Sequence, residues 1–127
     1  MINLAFAGVA HIHTPGFIGA IKKRPGIRVK SVWDPVVAKA NVRAAELNAK
    51  GVADVQAIAG DPEIHAVVVC SETSLHEQLA LPLAAAKKHL FIEKPLGFTG
   101  ADARRMADAI EKANQEKVGF LDVKKVM

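Results

Sequence analysis

The sequence predicts an α/β fold: a parallel sheet covered by helices on both faces. Three observations predict it. Short apolar runs alternate with longer segments of helical periodicity. The central run, Ala66-Val67-Val68-Val69, is apolar throughout, as in a strand buried on both faces. Glycine, proline and capping residues punctuate the boundaries between the two kinds of segment.

Taken in order, residues 2–7 form a compact apolar run ending at Gly8, the first strand. Thr14-Pro15 predicts a helix start, with Thr14 as N-cap and Pro15 at the first helical position. That helix ends before Pro25-Gly26, and residues 27–33 form a second strand closed by Asp34-Pro35. Val37, Ala40, Ala44 and Leu47 recur at helical spacing, predicting a helix to about Lys50 that Gly51 stops. A weak third strand and a short helical turn are expected within residues 52–60. Residues 65–70 give the fourth strand. Ser74 and Glu77 have capping-box spacing, so a helix should follow, kinked or loosened at Pro82. Leu90-Phe91-Ile92 is a fifth strand. Thr99 and Asp102 open another helix, to about Asn114, and residues 118–121 are expected as a sixth strand.

Repeated strand–helix–strand units give a Rossmann-type, doubly wound parallel sheet of about six strands, in order 3-2-1-4-5-6, with helices on both faces. Such sheets bind ligands beyond the carboxyl ends of their strands, at the switch between strands one and four. That rule selects four short segments: residues 8–13, Asp34, residues 70–76 and residues 93–95.

Composition narrows the function classes. The length of 127 residues suits one domain. A formal charge of +4 raises the question of nucleic acid. Two of its basic clusters, Lys22-Lys23-Arg24 and Lys87-Lys88, end expected helices, where cations complement the dipole and meet water; Lys124-Lys125 is the third. Stacking aromatics are missing between the charges, so no nucleic-acid partner is assigned. Cys70 is the only cysteine, which excludes an internal disulfide and suits a reducing, cytoplasmic setting. It ends an apolar run and reads as a buried, inert thiol. Neither a signal peptide nor a membrane span is visible.

The segment Gly8-Val9-Ala10-His11-Ile12-His13 occupies the place of a G-x-G-x-x-G phosphate loop. The first glycine allows the sharp turn; Ala10 and His13 replace the second and third. Ala10 still permits close approach, whereas His13 sets the helix back. Asp34, ending the second strand, is placed to accept hydrogen bonds from an adenosine ribose, and it also fits an N-cap role. No base follows it until Lys39, which favours NAD over NADP. His11 and His13, even with His65 or His76, are not assigned a metal, because zinc sites need three or four ligands with a supporting shell. Glu93-Lys94-Pro95 places two ionisable groups at the end of an apolar strand. Lys94 there either bonds a substrate hydroxyl or pairs with Glu93 in solvent.

Together these segments resemble the N-terminal domain of the glucose–fructose oxidoreductase, inositol dehydrogenase and MocA family. The most specific match runs from Asp61-Pro62-Glu63-Ile64, through Val67-Val68-Val69 and Ser74-Leu75-His76, to Phe91-Ile92-Glu93-Lys94-Pro95-Leu96. The resemblance implies a cofactor, NAD or NADP, bound by Gly8, Ala10, His11, Ile12, Asp34, Cys70, Ser71, Thr73, His76, Glu93, Lys94 and Pro95. It implies that Lys94 is the catalytic lysine, polarising the reacting hydroxyl or carbonyl of a sugar-like or polyol substrate. Glu93 and His76 would lie against the nicotinamide ribose and nearby phosphate, Ser71 and its neighbours would line the adenosine-side strand end, and the Lys94-Pro95 bond is often cis in such proteins. The sequence departs from the family at Ala10 and His13 and at Glu72, which stands where proline is common and puts a negative charge near the expected pyrophosphate.

Residues 1–120 are thus expected to form the dinucleotide-binding domain, and residues 121–127 a tail where the family's substrate domain would begin. Lacking that domain, the chain is expected to turn over no substrate alone and to self-associate through the surface left exposed. The competing expectation is a non-catalytic nucleotide-binding or interaction module, a relic or a regulator. A truncated product is the third.

Overall fold

The computed structural model describes residues 1–116. Five parallel strands lie in the order β3-β2-β1-β4-β5: β1 Ile2–Ala7, β2 Ile27–Trp33, β3 Lys50–Gly51, β4 Ala66–Val69 and β5 His89–Ile92. The helices between them are α1 Thr14–Lys22, α2 Val37–Leu47, α3 Gln56–Ala59 and α4 His76–Ala85, and α5 Gly100–Glu116 follows β5. The strand order agrees with the sequence expectation over these five. The expected sixth strand lies outside the described residues.

Strand alternation sorts the core onto two faces. Ala5, Ala7, Val67 and Val69 join Leu79 and Leu83 of α4 and Met106 and Ile110 of α5. On the other face Phe6, Val29, Val32 and Val68 meet Ile18 of α1 and Ala40 and Ala44 of α2. Met106, Ile110 and Ala113 are buried at helical spacing, giving α5 one apolar stripe. Each fully buried Leu, Val or Met contributes about 1.5–3 kcal/mol. The small residues Ala5 and Ala7 of β1 lie in the same buried cluster as the apolar stripes of α4 and α5. A register shift between Leu4 and Ala5 lies in the β1–β2 pairing.

Several local expectations need correction. Thr14 is the first residue of α1 rather than its cap; His13 holds the N-cap position without a side-chain bond, and Thr14 is buried. Pro15 does sit at the start of the helix, as its missing N–H allows. α2 stops at Leu47, because Asn48 takes the left-handed conformation (φ 54°) and its neighbour Ala49 donates back to Ala44 O. The freed residues Lys50 and Gly51 then pair with Ser31 and Val32, so β3 comes earlier than expected. Ser74 makes no capping box: it lies within a 3-10 turn, Thr73–Leu75, and α4 starts at His76. The Thr99–Asp102 box does form, Asp102 accepting from Thr99 N at 2.9 Å while Thr99 Oγ1 accepts from Asp102 N. α4 runs through Pro82 without interruption.

Lys88 corrects the view that both lysines of its doublet meet water. It is buried, and its Nζ donates to Asp61 O at 2.6 Å and Ile64 O at 2.8 Å. Burial pushes its pKa down, with the Asp61 charge opposing. The ammonium ties the segment before β4 to the start of β5. Beside it, Lys30 bridges Asp61 and Glu63. The basic run at Lys22-Lys23-Arg24 is exposed, as expected.

Candidate functional site

The four segments chosen from the sequence converge at the carboxyl ends of β1, β2, β4 and β5. Gly8 shows how tightly. Its φ is +92°, and a Cβ there would lie 2.4 Å from Ser71 Cβ and 2.7 Å from Ser71 Cα. Only glycine allows the loop after β1 to lie against the loop after β4. Gly8 N donates to Trp33 O at 2.7 Å, and His11 N to Cys70 O at 2.9 Å. The turn is thereby stitched to both neighbouring strand ends.

Asp34 is a buried brace of this edge. Its Oδ1 accepts from Val9 N and its Oδ2 from Val36 N, each at 2.9 Å, and it is 3% exposed. It therefore holds the glycine turn against the start of α2, whose N-cap position is Val36 rather than Asp34. Next to it lies a groove of about 430 Å³ lined by Val9, Ala10, Ala38, Lys39, Val42 and Arg43. Arg43 is engaged by both Glu46 carboxylate oxygens at 3.1 Å.

A second depression, about 340 Å³, is lined by Ala10, His11, Ile12, Ser71, Glu72 and Thr73. The two hollows share Ala10, so a small side chain sits where one elongated ligand would cross between them. Ile12 is 84% exposed at the rim. Ser71 is buried and its Oγ donates to Glu72 O, while Glu72 is exposed. Cys70 contributes backbone only, its side chain being packed into the sheet core with Phe6 and Val68. Burial pushes its thiol up to about 11; the Thr14 hydroxyl opposes this and the Glu93 charge adds to it. The expected inert thiol is what the packing produces.

At the end of β5 the Lys94-Pro95 peptide is cis. Glu93 is buried, its Oε1 accepting from Lys94 N at 3.1 Å, and Lys94 itself is exposed. His76 lies behind this turn, 1% exposed, with Nδ1 donating to Leu96 O at 2.9 Å. It supports the Glu93–Leu96 turn from inside. His13 Nδ1 approaches Glu93 Oε2 at 3.5 Å, and its ring tilts 56° against His11 at 4.7 Å. His11 Nδ1 accepts from His13 N at 3.1 Å. No local pattern in the sequence pairs Glu93 with these histidines, because the two segments are far apart in the chain. His65, the other candidate, is elsewhere, its Nδ1 accepting from Asn3 N.

A doubly wound sheet whose first turn is a glycine elbow, with an acid at the end of its second strand and paired hollows across the switch point, is a dinucleotide-binding domain. Comparison with known proteins gives the family. Residues 2–120 match the GFO_IDH_MocA family, described as "Oxidoreductase family, NAD-binding Rossmann fold", and the chain belongs to it. A myo-inositol 2-dehydrogenase of Thermotoga maritima is 48% identical over 54 residues, covering 42% of this chain and 16% of the relative. An inositol 2-dehydrogenase of Paracoccus denitrificans is 37% identical over 102 residues, covering 76% of this chain and 30% of the relative. Among solved structures, a levoglucosan dehydrogenase in complex with NADH and L-sorbose superimposes with a TM-score of 0.81 at 25% identity, covering 90% of this chain and 32% of that one. The chain thus spans a third or less of the length of these relatives. Among the described residues, no helix is long and apolar enough to cross a membrane.

Proposed function

We propose that this chain holds the nicotinamide dinucleotide of an oxidoreductase acting on a hydroxyl- or carbonyl-bearing carbon of a sugar-like or polyol substrate. The observation that carries this reading is the convergence at the switch point: Gly8 abuts Ser71, and two hollows meet at Ala10. The residues fit the cofactor. A Cβ at Gly8 would close the elbow, and a larger residue at Ala10 would block the passage between the hollows. The adenosine half is assigned to the groove beside Asp34 and α2, and the nicotinamide half to the side of Glu93 and Lys94. The relatives that act on inositols and levoglucosan support the substrate class.

The cofactor, when bound, supplies the hydride chemistry. The chain supplies position and one proton-handling group. Lys94 Nζ, on an exposed side chain, donates to the substrate oxygen and exchanges its proton with it. Glu93 fixes the Lys94 amide, and His76 fixes Leu96 beyond it. Preference for NAD is part of the proposal: the Asp34 carboxylate at the strand end opposes a 2′-phosphate, and Arg43 is paired with Glu46. Residues 1–120 are assigned as the cofactor domain. Self-association is also proposed, supported by an apolar hollow of about 220 Å³ between Phe17, Ile21, Val68 and Phe91; sedimentation equilibrium tests it.

Calorimetric titration of the chain with NAD⁺, NADH, NADP⁺ and NADPH tests the proposal. Saturable binding with the NAD forms tighter is expected, and Glu72→Pro should tighten it by removing a charge beside the pyrophosphate path. No binding of any dinucleotide by either folded protein would overturn it and favour a non-catalytic interaction module.

A further inference from the structure

We propose that His11, His13 and Glu93 form a binding site for a divalent transition-metal ion of the zinc class. This goes beyond the dinucleotide reading and does not depend on it. One ring nitrogen from each histidine and one Glu93 carboxylate oxygen lie within 4.8 Å of one another. In a tetrahedral zinc site, bonds of about 2.0–2.2 Å put ligand atoms roughly 3.3–3.6 Å apart. The group therefore has to contract by about an ångström or so to meet that geometry. His13, whose side chain is 58% exposed, has the freedom to do so.

The carboxylate is prepared for the role. Glu93 is 8% exposed, and Lys94 N occupies its Oε1, which leaves Oε2 facing His13 at 3.5 Å. An amide that orients a ligating carboxylate is the usual outer support of a metal site. A cation above Glu93 would also compensate a carboxylate held in a largely buried position. Two imidazoles and one carboxylate suit zinc, cobalt, nickel or copper. They do not suit magnesium or calcium, which take oxygen ligands. Three protein ligands leave a fourth position to water.

Binding also has a local consequence. His11 Nδ1 now accepts from His13 N at 3.1 Å. If Nδ1 takes the metal, its lone pair is used; if Nε2 takes it, Nδ1 must carry the ring proton. Either way the His13 amide loses its acceptor. Metal binding therefore reshapes the loop that links β1 to α1.

The test is isothermal titration of the untagged chain with ZnCl₂ and, separately, MgCl₂. Micromolar Zn²⁺ binding with one ion per chain is expected, with none for Mg²⁺. His13→Ala should weaken Zn²⁺ binding at least ~30-fold, since loss of even a supporting group costs 10–100-fold. Glu93→Gln should weaken it likewise, and His65→Ala, outside the cluster, should leave it unchanged. In NMR spectra the His13 amide should shift on saturation. No saturable Zn²⁺ binding by the folded chain, or equal affinity in His13→Ala, would overturn the proposal. His13 is exposed, so that variant decides the matter even if Glu93→Gln fails to fold. No dinucleotide enters the experiment, so its outcome is separate from that of the cofactor titration.

Discussion

Replacing Gly8 with alanine places a methyl group where the structure has no room. The new Cβ would lie 2.4 Å from Ser71 Cβ and 2.8 Å from Ser71 N, and the backbone would have to keep φ near +92° or give up the turn. Backbone strain of this kind costs about 1–3 kcal/mol. Forcing a methyl into a filled contact costs about 1–3 kcal/mol more. The sum, about 2–6 kcal/mol, is a large part of the roughly 5–15 kcal/mol that holds a domain together. With a urea slope of about 1–3 kcal/mol per molar, the midpoint should fall by roughly 2 M. Trp33 is the single tryptophan and its carbonyl accepts the Gly8 N–H, so its fluorescence reports the site directly. Gly16→Ala is the matched control, because nothing lies within 4 Å of its added Cβ in α1; it should stabilise by about 0.5–1 kcal/mol. A loss below about 1 kcal/mol for Gly8→Ala would refute the close approach of the two loops.

Asp34→Asn should cost about 1–3 kcal/mol, because an amide can turn only one acceptor toward the two N–H groups that Asp34 now satisfies. Thermal melts of the two proteins check it, and equal melting temperatures would argue against the brace. The Lys30 hydrogen bond holds the Asp61 carboxyl below the usual carboxylate range. A lowered folded-state value gives stability that is present above the unfolded pKa of about 4 and lost as pH falls through the folded value. Urea midpoints between pH 6 and pH 2 should therefore decline less steeply in Lys30→Ala than in the parent, and parallel curves would refute the link. Cys70, raised from 9.0 to about 11 by burial, should react with iodoacetamide at pH 8 about 100-fold more slowly in the folded chain than in urea. Comparable rates would mean that the thiol is not buried. Lys88→Met should destabilise by about 1–3 kcal/mol through two orphaned carbonyls, measured by urea unfolding, and no loss would refute the tie.

The frame was legible because periodicity and punctuation act locally. Ala66-Val67-Val68-Val69, apolar throughout, suits a central strand and Gly8 after an apolar run suits a sharp turn; the order and switch point then follow from the usual doubly wound arrangement. Cap chemistry was legible at Thr99, where an exposed Thr99 and a half-buried Asp102 bond each other. It failed at Ser74, which has the same spacing, because the chain first makes a 3-10 turn and His76 is pulled inward to Leu96. The end of α2 was misplaced because Gly51 is the stronger breaker on paper, whereas Asn48 reaches the left-handed conformation first. Lys88 looked solvated because its neighbour Lys87 and the helix end suggested it; its partners are carbonyls before β4, which no local pattern reveals. The same holds at the site. His11 and His13 announced themselves, but the carboxylate facing them follows the edge strand β5, about eighty residues further along the chain.

We propose that one dinucleotide lies across the two hollows that meet at Ala10. The measurement that tests it most directly is NADH titration of the chain beside Ala10→Trp, with circular dichroism and thermal melts confirming that both are folded. Saturable binding by the parent is expected, and its loss in the variant, whose indole fills the passage between the grooves. Undiminished binding in Ala10→Trp would contradict it, as would a folded parent that takes up no NADH.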